Sequence, residues 1–155
     1  MRMTGDSPLW TKNIEEGTMY PPLSQDIKTD IVIVGGGITG ALTAHYFMKQ
    51  GLNCVLVEKN QIAHHATAAS TAILQYEIDL GLNRLMSMVG EQNAQHAFLF
   101  GYQAVMEISQ IVKEINSNCD FTFKPCFLYT QDPRKVDYMA DECKSRQAIG
   151  IHCEL

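Results

Sequence analysis

The residues best placed to do chemistry are three glycines, spaced Gly35-x-Gly37-x-x-Gly40, and a carboxylate at Glu58. At a strand-to-helix turn each glycine has its own task. Gly35 permits the tight turn. Gly37 lets the main chain approach a pyrophosphate with no Cβ in the way. Gly40 lets the helix pack closely on the preceding strand. The free N–H groups of Gly36, Ile38 and Thr39, with the positive end of the helix dipole, then face the phosphates. Glu58 follows about twenty residues on, where a ribose-binding acid belongs, with Lys59 beside it. A carboxylate there accepts hydrogen bonds from both ribose hydroxyls and repels a 2′-phosphate, which disfavours an NADP site. The plainer alternative is a glycine turn in an unrelated α/β protein. Four features met together weigh against it: a strand before, a helix after, a second strand, and an acid at its end.

The surrounding elements suit that task. Ile31-Val32-Ile33-Val34 is an unbroken β-branched run, as expected of a strand buried on both faces of a parallel sheet. Ile38, Ala41, Leu42, Ala44 and Phe47 form the inner positions of a helix, and Gly51 stands where a left-handed cap belongs. Cys54-Val55-Leu56-Val57 reads as a second buried strand. Strand, turn, helix and strand within about thirty residues make a βαβ unit. Residues 62–75, rich in Ala, Ser and Thr, read as a loop leading into a short helix, and residues 79–89 as helical. The longest pattern runs from Ala94 to Ile115, apolar at steps of three and four. It is an amphipathic helix whose stripe core packing explains. Phe121, Phe123, Phe127 and Tyr129 then alternate with other residues, which reads as a strand or hairpin interrupted by Pro125. Residues 136–149 look helical, with Gly150 as the stop. Residues 1–29, with Gly5, Pro8, Gly17, Pro21 and Pro22, read as an irregular arm packed through Trp10 and Tyr20.

The chain has 155 residues, 46% apolar and 19% charged, and a formal charge of −5. Such a chain can bury a core. It lacks the basic face a nucleic-acid binder needs. No apolar run approaches a membrane span, and the N-terminus has no apolar segment of the signal-peptide kind. Cys54, Cys119, Cys126, Cys143 and Cys153 are odd in number with no CxxC spacing, so reduced thiols in a cytoplasmic protein are the expectation. His64-His65 invites a metal reading, but no further Cys or His lies near in sequence, so no metal site is expected. For His45, Tyr76, Glu77 and Tyr129, surface positions or satisfied polar contacts are expected before catalysis.

Residues 30–59, followed by Ile62-Ala63-His64-His65-Ala66-Thr67-Ala68-Ala69-Ser70-Thr71-Ala72, resemble the start of the D-amino-acid oxidase and glycine oxidase superfamily of FAD-dependent oxidoreductases. Leu9-Trp10, Tyr20-Pro21-Pro22-Leu23 and Leu74-Gln75-Tyr76-Glu77-Ile78-Asp79 extend the likeness over nearly the whole chain. The small-residue stretch is what favours FAD over NAD. The resemblance implies that this loop wraps the pyrophosphate and approaches the flavin, with Thr67, Ala69, Ser70 and Thr71 lining the cofactor. Hydroxyls and bare N–H groups suit phosphate oxygens. The alternative is a Ser/Thr-rich helix start where Thr67 or Ser70 caps. One departure stands out. The family has a glycine and then a small hydroxyl residue where this chain has His65-Ala66, and a bulky side chain there could hinder the pyrophosphate or donate to it.

The expected fold class is therefore α/β: a Rossmann-like FAD-binding βαβ unit with long helices, an incomplete parallel sheet, and the start of a β-containing substrate domain. Residues 1–29 form the arm, 30–118 the N-terminal portion of the FAD domain, and 119–155 the start of the substrate domain. Two strands do not complete a doubly wound sheet, so a truncated chain is expected. The resemblance implies oxidation of the C–H next to an amine in an amino acid or secondary amine, with dioxygen or another acceptor reoxidising the flavin. No catalytic residue emerges. An NAD-linked oxidoreductase using the same βαβ unit, or an inactive remnant without cofactor, are the alternatives.

Overall fold

The computed structural model describes residues 8–11 and 20–155. Gly5 and Gly17 of the expected arm lie outside these residues. The structure divides into two compact units, residues 1–73 and 74–155.

In the first unit, strand β1 (Ile31–Val34) pairs in parallel with β2 (Cys54–Val57), in the register Ile31↔Cys54 through Val34↔Val57. Helix α1 (Ile38–Lys49) connects them and packs on both. The strand starts are pinned together. Asp30 accepts from the Asn53 N–H (3.0 Å), and the Ile31 N–H and Thr29 hydroxyl both donate to the Asn53 carbonyl. Helix α1 ends in a Schellman motif: Gly51, at φ 77°, donates to Met48 O, and Leu52 donates back to Phe47 O.

The reading of a strand buried on both faces is corrected. Ile33 is buried, whereas Val34 is 85% exposed and Val32 is also exposed. Helix α1 covers one face; the opposite face borders an open cleft, lined by Leu23, Ile27, Val32, Val55 and Val57 among others. The inner stripe of α1 is corrected at its first turn. Leu42, Ala44 and Phe47 are half-buried, but Ile38 and Ala41 are exposed. Gly40 occupies the inward position instead, against Ile33 and the Gly35 carbonyl. Residues 62–75 form turns and no helix. Ala63, His65 and Ala72 sit at φ 59°, 58° and 57°, a left-handed conformation that cannot continue a right-handed helix. Of the arm's two expected packing residues, Trp10, within the short 3₁₀ turn Leu9–Thr11, donates to the Ser70 carbonyl, whereas Tyr20 is exposed.

The second unit is built from α2 (Leu82–Val89), α3 (Glu91–Glu114) and α4 (Val136–Ala148), with a 3₁₀ turn Pro133–Lys135 leading into α4. Helix α2 packs on α3 and on α4. Its core is Leu82, Leu85, Ala94, Phe98 and Ile151. Gly101 brings α3 so close to residue 76 that a Cβ there would lie 2.7 Å from the Tyr76 carbonyl oxygen. Helix α4 ends in the same motif as α1: Gly150, at φ 86°, donates to Gln147 O, and Ile151 donates to Arg146 O. Ile151 then drops into the core beside Leu82, Leu85, Ala94 and Phe98.

The expected strand over residues 121–129 does not form. Alternating aromatics make a strand only where a neighbouring strand completes the ladder and one face is covered. Among the described residues no strand pairs with this segment, and Phe127 and Tyr129 are at least 80% exposed. Pro125 also lacks the N–H a ladder needs.

Candidate functional site

The turn between β1 and α1 is where the main chain and a carboxylate meet. Gly35, at φ 109°, extends the ladder by one bond to Val57 O (2.8 Å) and then turns away. The Gly36 N–H donates to Glu58 Oε2 at 2.8 Å, and the Asn60 N–H donates to Oε1 at 3.0 Å. Both carboxylate oxygens of Glu58 are therefore held by main chain, one from the glycine turn and one from its own strand end. These amide bonds, that of Gly36 first and that of Asn60 second, keep the Glu58 carboxyl below its ordinary value of 4.5. The group stays ionised at neutral pH beside the turn.

Beyond Gly36 one donor is engaged and three are open. The Ile38 N–H donates to Thr67 Oγ1 (3.2 Å). No described residue accepts from the N–H groups of Gly37, Thr39 or Gly40. Orphan donors at a helix N-terminus with no side-chain cap of its own form an anion site. The glycines keep it bare. A Cβ on Gly37 would stand 3.1 Å from Thr67 Oγ1, the acceptor of the Ile38 N–H. A Cβ on Gly36 would press on Ile62, Glu58 and Leu56 at 3.1 to 3.4 Å. A Cβ on Gly40 would lie far inside contact distance of the Gly35 carbonyl oxygen and 3.2 Å from its carbon.

The structure thus brings together Gly35, Gly36, Gly37, Ile38, Thr39, Gly40, Glu58 and Thr67. Lys59 is exposed beside them. Ala69, Ser70 and Thr71 make no described contact with the glycine turn. Apart from the Ser70 carbonyl, which accepts from Trp10, their bonds run within their own loop: Ala69 N–H to His65 O, Ala72 N–H to Ser70 Oγ, and Ile73 N–H to Thr71 Oγ1. A hydroxyl that accepts from the main chain keeps its own proton free to donate, so Thr67, Ser70 and Thr71 all retain a donor.

The family model of FAD-dependent oxidoreductases matches residues 30–155. The chain belongs to that family. This FAD-dependent oxidoreductase chain is similar to YhfW of Bacillus subtilis (strain 168), whose name calls it a putative Rieske 2Fe-2S iron-sulfur protein. Identity is 30% over 136 residues, covering 88% of this chain and 27% of YhfW. It is also similar to OrdL of Haemophilus influenzae, named a probable oxidoreductase, at 21% over 84% of this chain and 30% of OrdL. A shorter stretch of 48 residues is 40% identical to one component of the anaerobic glycerol-3-phosphate dehydrogenase of the same organism, covering 31% of this chain and 8% of that component. The chain therefore spans less than a third of the length of these relatives. No solved structure matches it. FAD is the cofactor of the family, and the glycine turn with its orphan donors and adjoining acid suits the ADP half of that molecule.

Sequence reasoning on this FAD-dependent oxidoreductase chain missed three contributors. Ala63 donates to Gly36 O at 2.9 Å and locks the far side of the turn. Asn60 braces Glu58 and meets His65 Nε2 at 3.3 Å. Trp10 reaches the Ser70 carbonyl across 60 residues. Nothing local in the sequence marks the first, and the last reads there only as a packing point of the arm. His45 buries Nε2 without a partner among the described residues. Tyr76 and Glu77 fall in satisfied polar contacts, both meeting the buried Arg146 in the second unit. Among the described residues no three His, Cys, Asp or Glu side chains converge on a metal position, and no helix is long and apolar enough to cross a membrane.

Proposed function

We propose that this chain binds the ADP half of FAD in an enzyme that oxidises the C–H bond next to an amine, in an amino acid or a secondary amine. One observation carries the cofactor part. The Gly36 N–H and Glu58 carboxylate meet at 2.8 Å while the Gly37, Thr39 and Gly40 donors stay open. In that arrangement the glycine turn and α1 hold the diphosphate, Glu58 takes the ribose hydroxyls, and Thr67, Ala69, Ser70 and Thr71 offer hydroxyl and N–H donors to the rest of the cofactor. When bound, FAD supplies the acceptor for a hydride equivalent, and dioxygen or another acceptor then removes the electrons. The amine substrate rests on the resemblance to amino-acid oxidases, and OrdL's name supports an oxidoreductase without naming a substrate. YhfW's name adds a 2Fe-2S cluster as a second candidate acceptor.

In this reading residues 30–118 serve the cofactor and 119–155 begin the substrate domain. That is a division of labour and not of packing, since residues 74–155 form one compact unit. The experiment is direct. The purified protein is incubated with FAD, NAD and ADP separately, gel-filtered, and its absorption spectrum and bound nucleotide measured. Retained yellow flavin, displaced by ADP and reduced in Glu58→Gln, supports the reading. Retained NAD without flavin favours a nicotinamide enzyme. Retention of neither by the intact protein removes the cofactor assignment.

A further inference from the structure

We propose that Trp10 is a positioning residue for the cofactor loop, its indole N–H clamping the Ser70 carbonyl so that residues 67–72 are arranged before the dinucleotide arrives. The inference rests on the FAD reading above, but the clamp itself stands on geometry. The Trp10 Nε1–Ser70 O bond measures 2.8 Å. The loop it grips has little else to hold it. Only Ala68 is buried in residues 66–73. The loop's own hydrogen bonds are local, from Ala69 to His65, Ser70 to Thr67, Ala72 to Ser70 and Ile73 to Thr71, the second and the last being long at 3.4 Å. It also has a left-handed residue just before it and another at its end, His65 and Ala72. Non-glycine residues persist in that conformation when surrounding structure fixes them.

Three long-range ties supply that fixation. Ala63 N–H is held by Gly36 O, Thr67 Oγ1 by the Ile38 N–H, and Ser70 O by Trp10. The first two anchor the loop to the glycine turn at its start. Trp10 anchors the other end, where Ser70 and Thr71 present their hydroxyls. A loop held at one end would sample many conformers, and a ligand needing one of them would bind more weakly by the fraction populated. The clamp removes that loss. Trp10 has no need to touch the cofactor to do so.

Trp10 is the sole tryptophan of the chain, so one substitution isolates it. Trp10→Phe keeps an aromatic ring and deletes the donor. Trp10→Gln deletes the ring but places an amide nitrogen three bonds from Cβ, as in the indole. Amide hydrogen exchange of residues 67–72 is measured on the protein without nucleotide, and FAD affinity by flavin fluorescence titration. Trp10→Phe should speed exchange in this loop alone and weaken FAD about fivefold, the scale of one hydrogen bond. Trp10→Gln should stay within about twofold of the parent protein in both. Unchanged exchange in Trp10→Phe, unchanged FAD affinity in it, or a Trp10→Gln protein no better than Trp10→Phe each overturns the proposal. If the parent protein binds no FAD, the cofactor reading fails, and the exchange data alone still decide whether Trp10 clamps the loop.

Discussion

Gly40→Ala tests the close packing on which the site depends. Two effects oppose each other. In the interior of a helix alanine is favoured over glycine by about 1 kcal/mol. Against this, the new Cβ falls well within the 3.0 Å that Cβ atoms respect, directly on the Gly35 carbonyl oxygen, with Ile33 Cγ2 at 3.5 Å. Overpacking by one methyl costs about 1–3 kcal/mol where side chains can yield. Here the obstacle is main chain, and Gly35 is fixed by its bond to Val57 O, so the cost lies at about 3 kcal/mol or above. The net effect is a loss of about 2 kcal/mol, a large share of the stability of a small unit. Urea unfolding followed by circular dichroism reads it, as a lowered midpoint with little change in slope. Gly37→Ala is the control. Gly37 has φ −81° and ψ −175°, which alanine adopts freely, and its Cβ meets only the Thr67 hydroxyl at 3.1 Å. This variant should unfold like the parent and yet lose FAD affinity about tenfold, because the methyl adds bulk at a turn proposed to meet the diphosphate with no Cβ. A Gly40→Ala protein as stable as the parent would refute the packing argument. A Gly37→Ala protein that binds FAD normally would refute the assignment of the donors.

Three further outcomes follow from the same geometry. The Glu58 carboxyl is held below its ordinary value of 4.5, so its stabilisation is complete above that pH and is lost as pH falls through the lower folded value. Urea unfolding along an acid titration should show the parent losing its advantage over Glu58→Gln only below 4.5. In the second unit, Glu142 is 2% exposed and accepts from the Leu82 N–H (2.5 Å), the Asn83 N–H (3.0 Å) and Arg146. Glu142→Ala strips the α2 cap and leaves the buried guanidinium with Glu77 as its remaining ionic partner, so thermal and urea unfolding should record a loss of about 3–5 kcal/mol. Thiol alkylation should rank by access and acidity. Cys119 is exposed and reacts first, Cys126 follows with its thiol pushed up by burial and Glu77, Cys153 is slower at about 11 through burial and Cys143, and buried Cys143 is last. Mass mapping of timed iodoacetamide labelling checks the order.

The βαβ unit was legible because every level of the sequence agrees there. A β-branched run, a glycine stop, a helical stripe, a second β-branched run and a terminal acid all demand one topology. Helix α3 was legible from its apolar steps of three and four, and α4 from its helical stretch and the Gly150 stop. The failures have one physical source. Apart from the short helix expected after residues 62–75, which left-handed backbone rules out, each was a statement about what covers a surface, and local pattern carries no such information. Val32 and Val34 read as buried because their types suit burial, although α1 covers only the other face. Residues 121–129 alternate as a strand would, but a ladder needs a partner. Ile38 reads as an inner position because it is apolar, while the helix meets the strand through Gly40, a residue hydropathy ignores.

The loop after Glu58 divides in the same way. Its small residues are visible in sequence and suggest a cofactor contact; its path is not visible at all. His65 reads as an obstruction or as a donor, since the family usually has a glycine there. The structure gives the position a reason. His65 sits at φ 58°, the left-handed region that glycine enters without cost. What the position demands is a backbone conformation, and this chain meets it with a residue that must be held there. The imidazole turns aside to Asn60, 3.3 Å away, which itself donates to Glu58. The departure therefore places the imidazole beside Asn60, the residue that braces Glu58, the acid proposed to take the ribose. A strained loop of this kind depends on distant ties, those from Gly36, Ile38 and Trp10, for what a glycine would otherwise have supplied locally.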